Sequence, residues 1–369
     1  MSDRSSEPAA RLAHNVLANT LKVRRGENVV IETWSESLPW AKPFVNEARR
    51  LGANPSMLYE DEESFWEALR SGNGRQTGRV GGHEWAALEK TAAYVFFYGP
   101  SEWPRMDDVP PKNRAGVAAY NAEWYRRAAK AKVRGARMYL GRTSPLAADR
   151  WKLDLGDWRE ELTRASLVPP GDLHRLGTRI GERLRKGKRV TVSHSNGTQL
   201  SFRLGRFPLQ LDDALVDSSD LKVGNNMATI PGGVVGLSID HTSAEGTALG
   251  NHTTYPNSGP VTGARWEFAD GHLTSQSYES GGEALEALYA KAPRSGKDRL
   301  GYFSVGLNPE ISNLPQMEDQ ELGAVLLQLG GNSYRGGKNV SPFGAWIVLK
   351  GADVTIDNRP LLQKGRIVS

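Results

Sequence analysis

The chain has 369 residues, 38% hydrophobic, 24% charged and 8% aromatic, which suits a folded protein of about two domains and excludes a disordered or fibrous one. There is no cysteine, so disulfides, thiolate nucleophiles, zinc ribbons and iron–sulfur clusters are excluded, and none of the seven histidines falls in an H-E-x-x-H or H-x-H spacing. The formal net charge of +5 is uneven: 33 Lys/Arg against 24 Asp/Glu over residues 1–190, and 14 against 18 over 191–369, or +9 and −4.

In chain order, residues 9–22 place Leu12, Val16, Leu17 and Leu21 at helical spacing. A buried strand follows over 28–32, then a helix over 38–51 ended by Gly52 and a second strand over 55–59, a β-α-β unit. Residues 93–98 add a strand ended by Gly99-Pro100, residues 121–132 a basic helix, and residues 136–140 a fourth strand. This alternation predicts an open, mostly parallel sheet.

After a helix over 172–185 the character changes. Asn196-Gly197 joins strands 189–194 and 199–203, and Asp270-Gly271 joins 264–268 and 272–276, both hairpin signals because these dipeptides supply positive φ. Residues 345–349 and 354–356 are again strand-like. The expected fold is an α/β N-terminal domain with a mostly parallel sheet over 1–165 and a β-rich (α+β) C-terminal domain over 166–369. No stretch reaches the roughly 18 apolar residues of a membrane span and the first residues hold no apolar signal core, so the expectation is a cytoplasmic protein with no membrane partner.

Between Lys112 and Arg142 nine basic residues face one acid, Glu123. Arg126, Arg127, Lys130, Lys132, Arg134 and Arg137 are candidates for an anionic partner such as RNA, with a solvated helix face as the plainer reading. Asp240, His241, Glu245 and His252 form the one local carboxylate and histidine group, read as an acid–base pair, a metal site or surface polarity. The glycine-rich run 330–341 holds Asn332, Ser333, Tyr334, Arg335, Lys338, Asn339 and Ser341, donors suited to an anion or a carbonyl.

Several pieces, in order along nearly the whole chain, resemble the thermophilic metallo-aminopeptidase family of the aminopeptidase T and aminopeptidase S type. They are residues 21–31 (LKVRRGENVVI), 47–53 (EARRLGA), 196–202 (NGTQLSF), 230–233 (IPGG), 299–309 (RLGYFSVGLNP), 323–330 (GAVLLQLG) and 336–341 (GGKNVS). The resemblance implies a two-metal centre held by glutamates, histidines and an aspartate, and a homodimer. At the corresponding positions this chain has Val234, Tyr302, Leu326, Gly344 and Trp346, and Tyr334 matches a family tyrosine. None of those five can bind a divalent ion in that geometry.

The expected function is therefore a metal-independent, cofactor-free enzyme acting on an aminoacyl or peptidyl group by transfer or hydrolysis, with a charged tRNA as one donor. Asp240, His241, Glu245, Tyr302 and Tyr334 would supply acid–base function, and Trp346, Asn332, Lys338, Asn339 and Ser341 would bind the substrate. The alternatives are a non-catalytic binding or scaffold protein, and a hydrolase with a metal moved to His241, Glu245 and His252.

Overall fold

The computed structural model describes residues 6–72, 81–255, 259–312 and 314–368. The chain divides into two compact units, Met1–Pro170 with Ala214–Gly232, and Gly171–Asp213 with Gly233–Ser369.

The first unit is built on strands β1 (Asn28–Trp34), β2 (Asn54–Glu60), β3 (Ala93–Phe97) and β4 (Arg134–Met138). The chain then enters the second unit through β5 (Arg189–Ser193) and β6 (Gln199–Asp212), and returns to lay β7 (Met227–Ile230) beside β4. The order is β2-β1-β3-β4-β7 with every pairing parallel. Val29, Ile31, Ala93, Val95 and Phe97 are fully buried, as expected for central strands covered on both faces.

The basic helix begins ten residues before its expected start, spanning Pro111–Lys130, because proline is suited to the first helical turn, where its missing N–H costs nothing. Its Trp124 and Ala128 pack on Val30 and Tyr94 of the sheet. The opening helix spans Ser6–His14 and continues as a wider turn over Asn15–Thr20. The strand Arg134–Met138 lies two residues before the 136–140 expected.

The second unit is antiparallel. It adds β8 (Val234–Ile239), β9 (Glu245–Leu249), β10 (His252–Tyr255), β11 (Gly259–Thr262), β12 (Arg265–Ala269), β13 (His272–Ser277), β14 (Leu300–Gly306), β15 (Val325–Gly330), β16 (Gly344–Leu349), β17 (Asp353–Ile356), β18 (Arg359–Gln363) and β19 (Arg366–Ile367). One large sheet runs β16-β15-β14-β8-β6-β5-β17-β18-β19. The long β6 joins its two parts: residues 199–203 pair with β5, and Leu204 and residues 209–212 pair with β8 on either side of a register shift. Both expected hairpins form.

Candidate active site

Strands β8, β14, β15 and β16 set one face of side chains in rows. Trp346 lies opposite Gln328, Gln328 opposite Tyr302, and Tyr302 opposite Ser238; the next row is Val348, Leu326, Ser304 and Gly236. Directly paired residues point to the same side, and alternate residues share a face. Val234, Tyr302, Leu326, Gly344 and Trp346 therefore all lie on one face of four adjacent strands. Five positions separated by up to 112 residues of sequence become neighbours through strand register alone.

Tyr302, Leu326, Val348 and Ala324 form a buried apolar cluster with Trp346 against its edge. Space for the Tyr302 hydroxyl comes from Gly236, opposite Ser304 in the next row, where a Cβ would come within 2.6 Å of that hydroxyl. Burial pushes the Tyr302 phenol up to about 12, with Arg335 opposing. The guanidinium carbon of Arg335 sits 4.0 Å from the centre of the Tyr302 ring and 5.3 Å from that of Tyr334. Burial works against the charge of Arg335, but Tyr302, Tyr334 and Asp319 more than offset it, so its pKa is raised and it stays a fixed cation.

Around this cation the polar groups are connected. Arg335 Nε donates to the Tyr334 hydroxyl at 3.2 Å, which donates to Gln328 Oε1 at 2.9 Å, while Gln328 Nε2 donates to the Gly331 carbonyl at 2.7 Å. Tyr334 is 70% exposed, so the chain of bonds runs from a buried amide to solvent. Burial raises Asp319 to about 6 against the pull of Arg335, with Asp212 adding to the rise. Burial also raises Glu318 to about 7, against the Thr254 hydroxyl and backbone N–H that donate to it at 2.5 and 2.9 Å.

Asn332 and Asn339 lie in the same loop but their side chains are spent on its backbone. Asn332 donates to the Gly301 carbonyl at 2.6 Å and accepts from the Asn339 N–H at 2.8 Å, and Asn339 donates to the carbonyls of Gly296 and Gly330. They hold the loop that presents Tyr334 and Arg335. Ser341 accepts from the Phe343 N–H, and Lys338 is exposed. The Tyr255 ring packs 4.4 Å from Trp346. Gln328, Asp319, Asp212 and Tyr255 were not singled out from sequence; strand register places Gln328 and Asp212, whereas Asp319 comes from the short helical turn Glu318–Gln320 and Tyr255 from β10 of the separate β10-β11 pair.

The other candidate group is arranged differently. Asp240 directly follows β8 and pairs with Arg203 at 2.6 Å while its other oxygen accepts from Thr242. Burial raises its pKa, but these partners outweigh that and lower it. His241 is lowered by burial and by Arg299, and Glu245 is exposed and accepts from the Asp270 N–H. Among the described residues no three His, Asp or Glu side chains are placed to hold a metal ion, so His241, Glu245 and His252 do not assemble into one. A two-metal centre does not fit the residues present on the β8–β16 face either: Val, Leu, Gly and Trp offer no donor side chain, and the Tyr302 phenol is held protonated.

In the first unit, Arg126 and Arg127 pair with Glu123, and Arg127 also stacks over Trp85 at 4.7 Å. Lys130 and Lys132 are exposed; Arg134 is ion-paired to Glu27 at 2.5 Å, and Arg137 donates to Thr229 within the sheet. Lys132 and Arg134 help line a broad open groove of about 690 Å³ with Lys22, Arg24, Lys90 and Glu27.

No described helix is long and apolar enough to cross a membrane. No family model matches the chain, and no curated protein matches it. Two solved structures are similar over their whole lengths. AmpT from Thermus thermophilus, an aminopeptidase T, has a TM-score of 0.72 at 17% identity, covering 99% of this chain and 100% of its own. The 2,5-dihydroxypyridine dioxygenase from Pseudomonas putida KT2440 has a TM-score of 0.65 at 17% identity, covering 100% and 98%. At this identity the likeness is one of fold, and the chain has the aminopeptidase T-like fold: a parallel α/β unit and an antiparallel β-rich unit.

Proposed function

We propose that the protein is a metal-independent enzyme that moves an aminoacyl or peptidyl group from an activated ester to a small amine or hydroxylamine, or to water. The observation that supports this reading is the common face of Val234, Tyr302, Leu326, Gly344 and Trp346, with Arg335, Tyr334 and Gln328 at its edge. In this reading the chain has lost the metal ligands of the family it resembles, and the guanidinium supplies the positive charge.

An ester needs less electrophilic help than an amide. Arg335 would stabilise the oxyanion as the nucleophile adds to the carbonyl carbon, and a polarised site of this kind contributes about 3 kcal/mol per donor. The new C–N bond forms, the C–O bond to the leaving alcohol breaks, and the amine's proton passes to that alcohol through the Tyr334 hydroxyl. Trp346 and Tyr255 would flank the side chain of the acyl group. A charged tRNA is the donor we favour, with Arg126, Lys130 and Lys132 near its phosphates, and the enzyme would act in the cytoplasm as a homodimer.

A second reading has its own support. Tyr302, Ala324, Leu326 and Val348 fill the face with apolar volume, as a binding or scaffold protein without catalysis would. One assay separates the two: transfer from aminoacyl-tRNA and from a simple aminoacyl ester to hydroxylamine, read as hydroxamate, after exhaustive chelation. Turnover should survive chelation and fall roughly 100-fold in Arg335→Gln. Turnover that returns only with added metal would overturn the metal-independent reading, and charged-tRNA binding without turnover would establish the scaffold.

A further inference from the structure

The first unit holds a cavity of about 40 Å³ lined by Glu32, Phe96, Tyr120, Asn121, Trp124 and Tyr125. Glu32 lies two residues before the end of β1 and faces Phe96, the penultimate residue of β3. The cavity thus sits near the carboxyl ends of parallel strands, where open α/β sheets receive ligands. Its other wall is one face of the helix Pro111–Lys130, since residues 120, 121, 124 and 125 recur at one turn's spacing.

The chemistry of the walls is one-sided. The Tyr94 hydroxyl donates to Glu32 Oε2, and among the described residues no hydrogen bond reaches Oε1 and no lysine or arginine pairs with the carboxylate. Glu60 and Glu84 add negative field, and among the described residues Glu84 is hydrogen-bonded only by the Tyr120 hydroxyl, at 2.5 Å. Aromatic faces attract cations and repel anions. A single carboxylate is too few oxygens for a calcium or magnesium ion. A water needs about 10–15 Å³ of such space, so the volume suits a head group of a few heavy atoms with its tail leading out.

We propose that this cavity binds the head of an alkylammonium ion, whose N–H groups donate to Glu32 while the rings of Phe96, Tyr120, Trp124 and Tyr125 surround the charge. The inference concerns the first unit alone and stands apart from the acyl-transfer reading.

Burial raises Glu32 to about 7, Tyr94 opposes this and Glu60 and Glu84 add to it. The groups around it are Glu60 on β2, Tyr94 on β3, Glu84 on the helix Gly82–Glu89, Tyr120 and Tyr125 on the long helix, and Arg137 on β4 beside Tyr125. The last is the one cation among them. An aliphatic ammonium keeps its charge to about pH 10, so Glu32 sets the pH dependence: affinity rises as pH rises through 7.

The test is calorimetric titration of the full chain with n-butylammonium chloride, with n-butanol as the neutral isostere, at constant ionic strength. The expected result is saturable binding at least about tenfold tighter than n-butanol, weakening about tenfold from pH 8 to pH 6, and abolished in Glu32→Gln. Tyr125→Leu, which removes a wall at the rim, should weaken it several-fold and serves if Glu32→Gln does not fold. Equal binding of n-butanol, wild-type affinity in both variants, or no saturation by on the order of 10 mM would overturn the assignment.

Discussion

Tyr302 shows how one residue limits the chemistry open to its site. A phenol held near 12 is protonated throughout the physiological range, so Tyr302 can donate a proton or hydrogen bond but is no general base. Any limb in the pH profile of kcat between 5 and 8 must come from elsewhere, and Asp319, raised to about 6 beside Arg335, is the group placed to supply it. Asp319→Asn should remove that limb; a limb unchanged in the variant would show that Asp319 does not control the site. The ring itself is core. Tyr302→Phe should cost under about 1 kcal/mol of stability in chemical unfolding, and Tyr302→Ala about 3–5 kcal/mol through the cavity it leaves.

Strand register is the element that gathers the candidate site, and Gly236 on β8 is a close approach within it. A Cβ there would meet the Phe303 carbonyl at 2.4 Å and Ser304 Cβ at 2.5 Å, as well as the Tyr302 hydroxyl. Two of these atoms belong to the adjoining strand's backbone and stem and cannot swing away. Gly236→Ala should therefore destabilise by roughly 1–3 kcal/mol, and a thermal midpoint equal to wild type would show that the two strands separate more readily than their pairing suggests. Elements with clear periodicity were legible from sequence: the apolar runs at 28–32 and 93–98 became β1 and β3, and Asn-Gly and Asp-Gly marked both hairpins. What was illegible has physical causes. Met227–Ile230 is only four residues long, and β6 continues past Arg203 through Gly205 and Pro208, residues that normally break strands, by shifting register. The five aligned positions were found through family resemblance, but Gln328 on β15, Asp212 at the end of β6 and Asp319 on the turn Glu318–Gln320 were not, since nothing local in sequence marks which distant segments meet.

At the scale of the molecule, buried carboxyls and surface ones pull stability in opposite directions with pH. Glu32 and Glu318 at about 7, Asp319 at about 6 and Glu60 are raised chiefly by burial. A raised folded pKa gives stability that is complete below the unfolded value near 4 and lost as pH climbs to 6 or 7. Glu47, Asp217 and Asp240 are lowered, and their contribution is lost as pH falls below 4. His241 and His252, lowered and partly exposed, oppose the first trend with a smaller loss below 6.5. The thermal midpoint should peak near pH 5 and decline toward pH 8, and Glu32→Gln should flatten the decline; a wild-type midpoint rising from pH 5 to pH 8 would contradict the burial of these groups.

The route of the chain through its two units bears on how the protein comes to exist. Unit one ends at Pro170 only to resume at Ala214, and its sheet receives β7 last. During synthesis β4 stays an open edge, with unpaired N–H and C=O groups, until residue 230 has emerged. By then β5 and β6 have already left the ribosome without the strands they will pair with in β8, β9 and β17. Neither unit corresponds to one continuous stretch of gene, so a fragment ending at residue 170 would lack its edge strand and should self-associate through β4. Shuffling or duplicating either unit as a separate module would require cutting the other, which ties the two to a common inheritance.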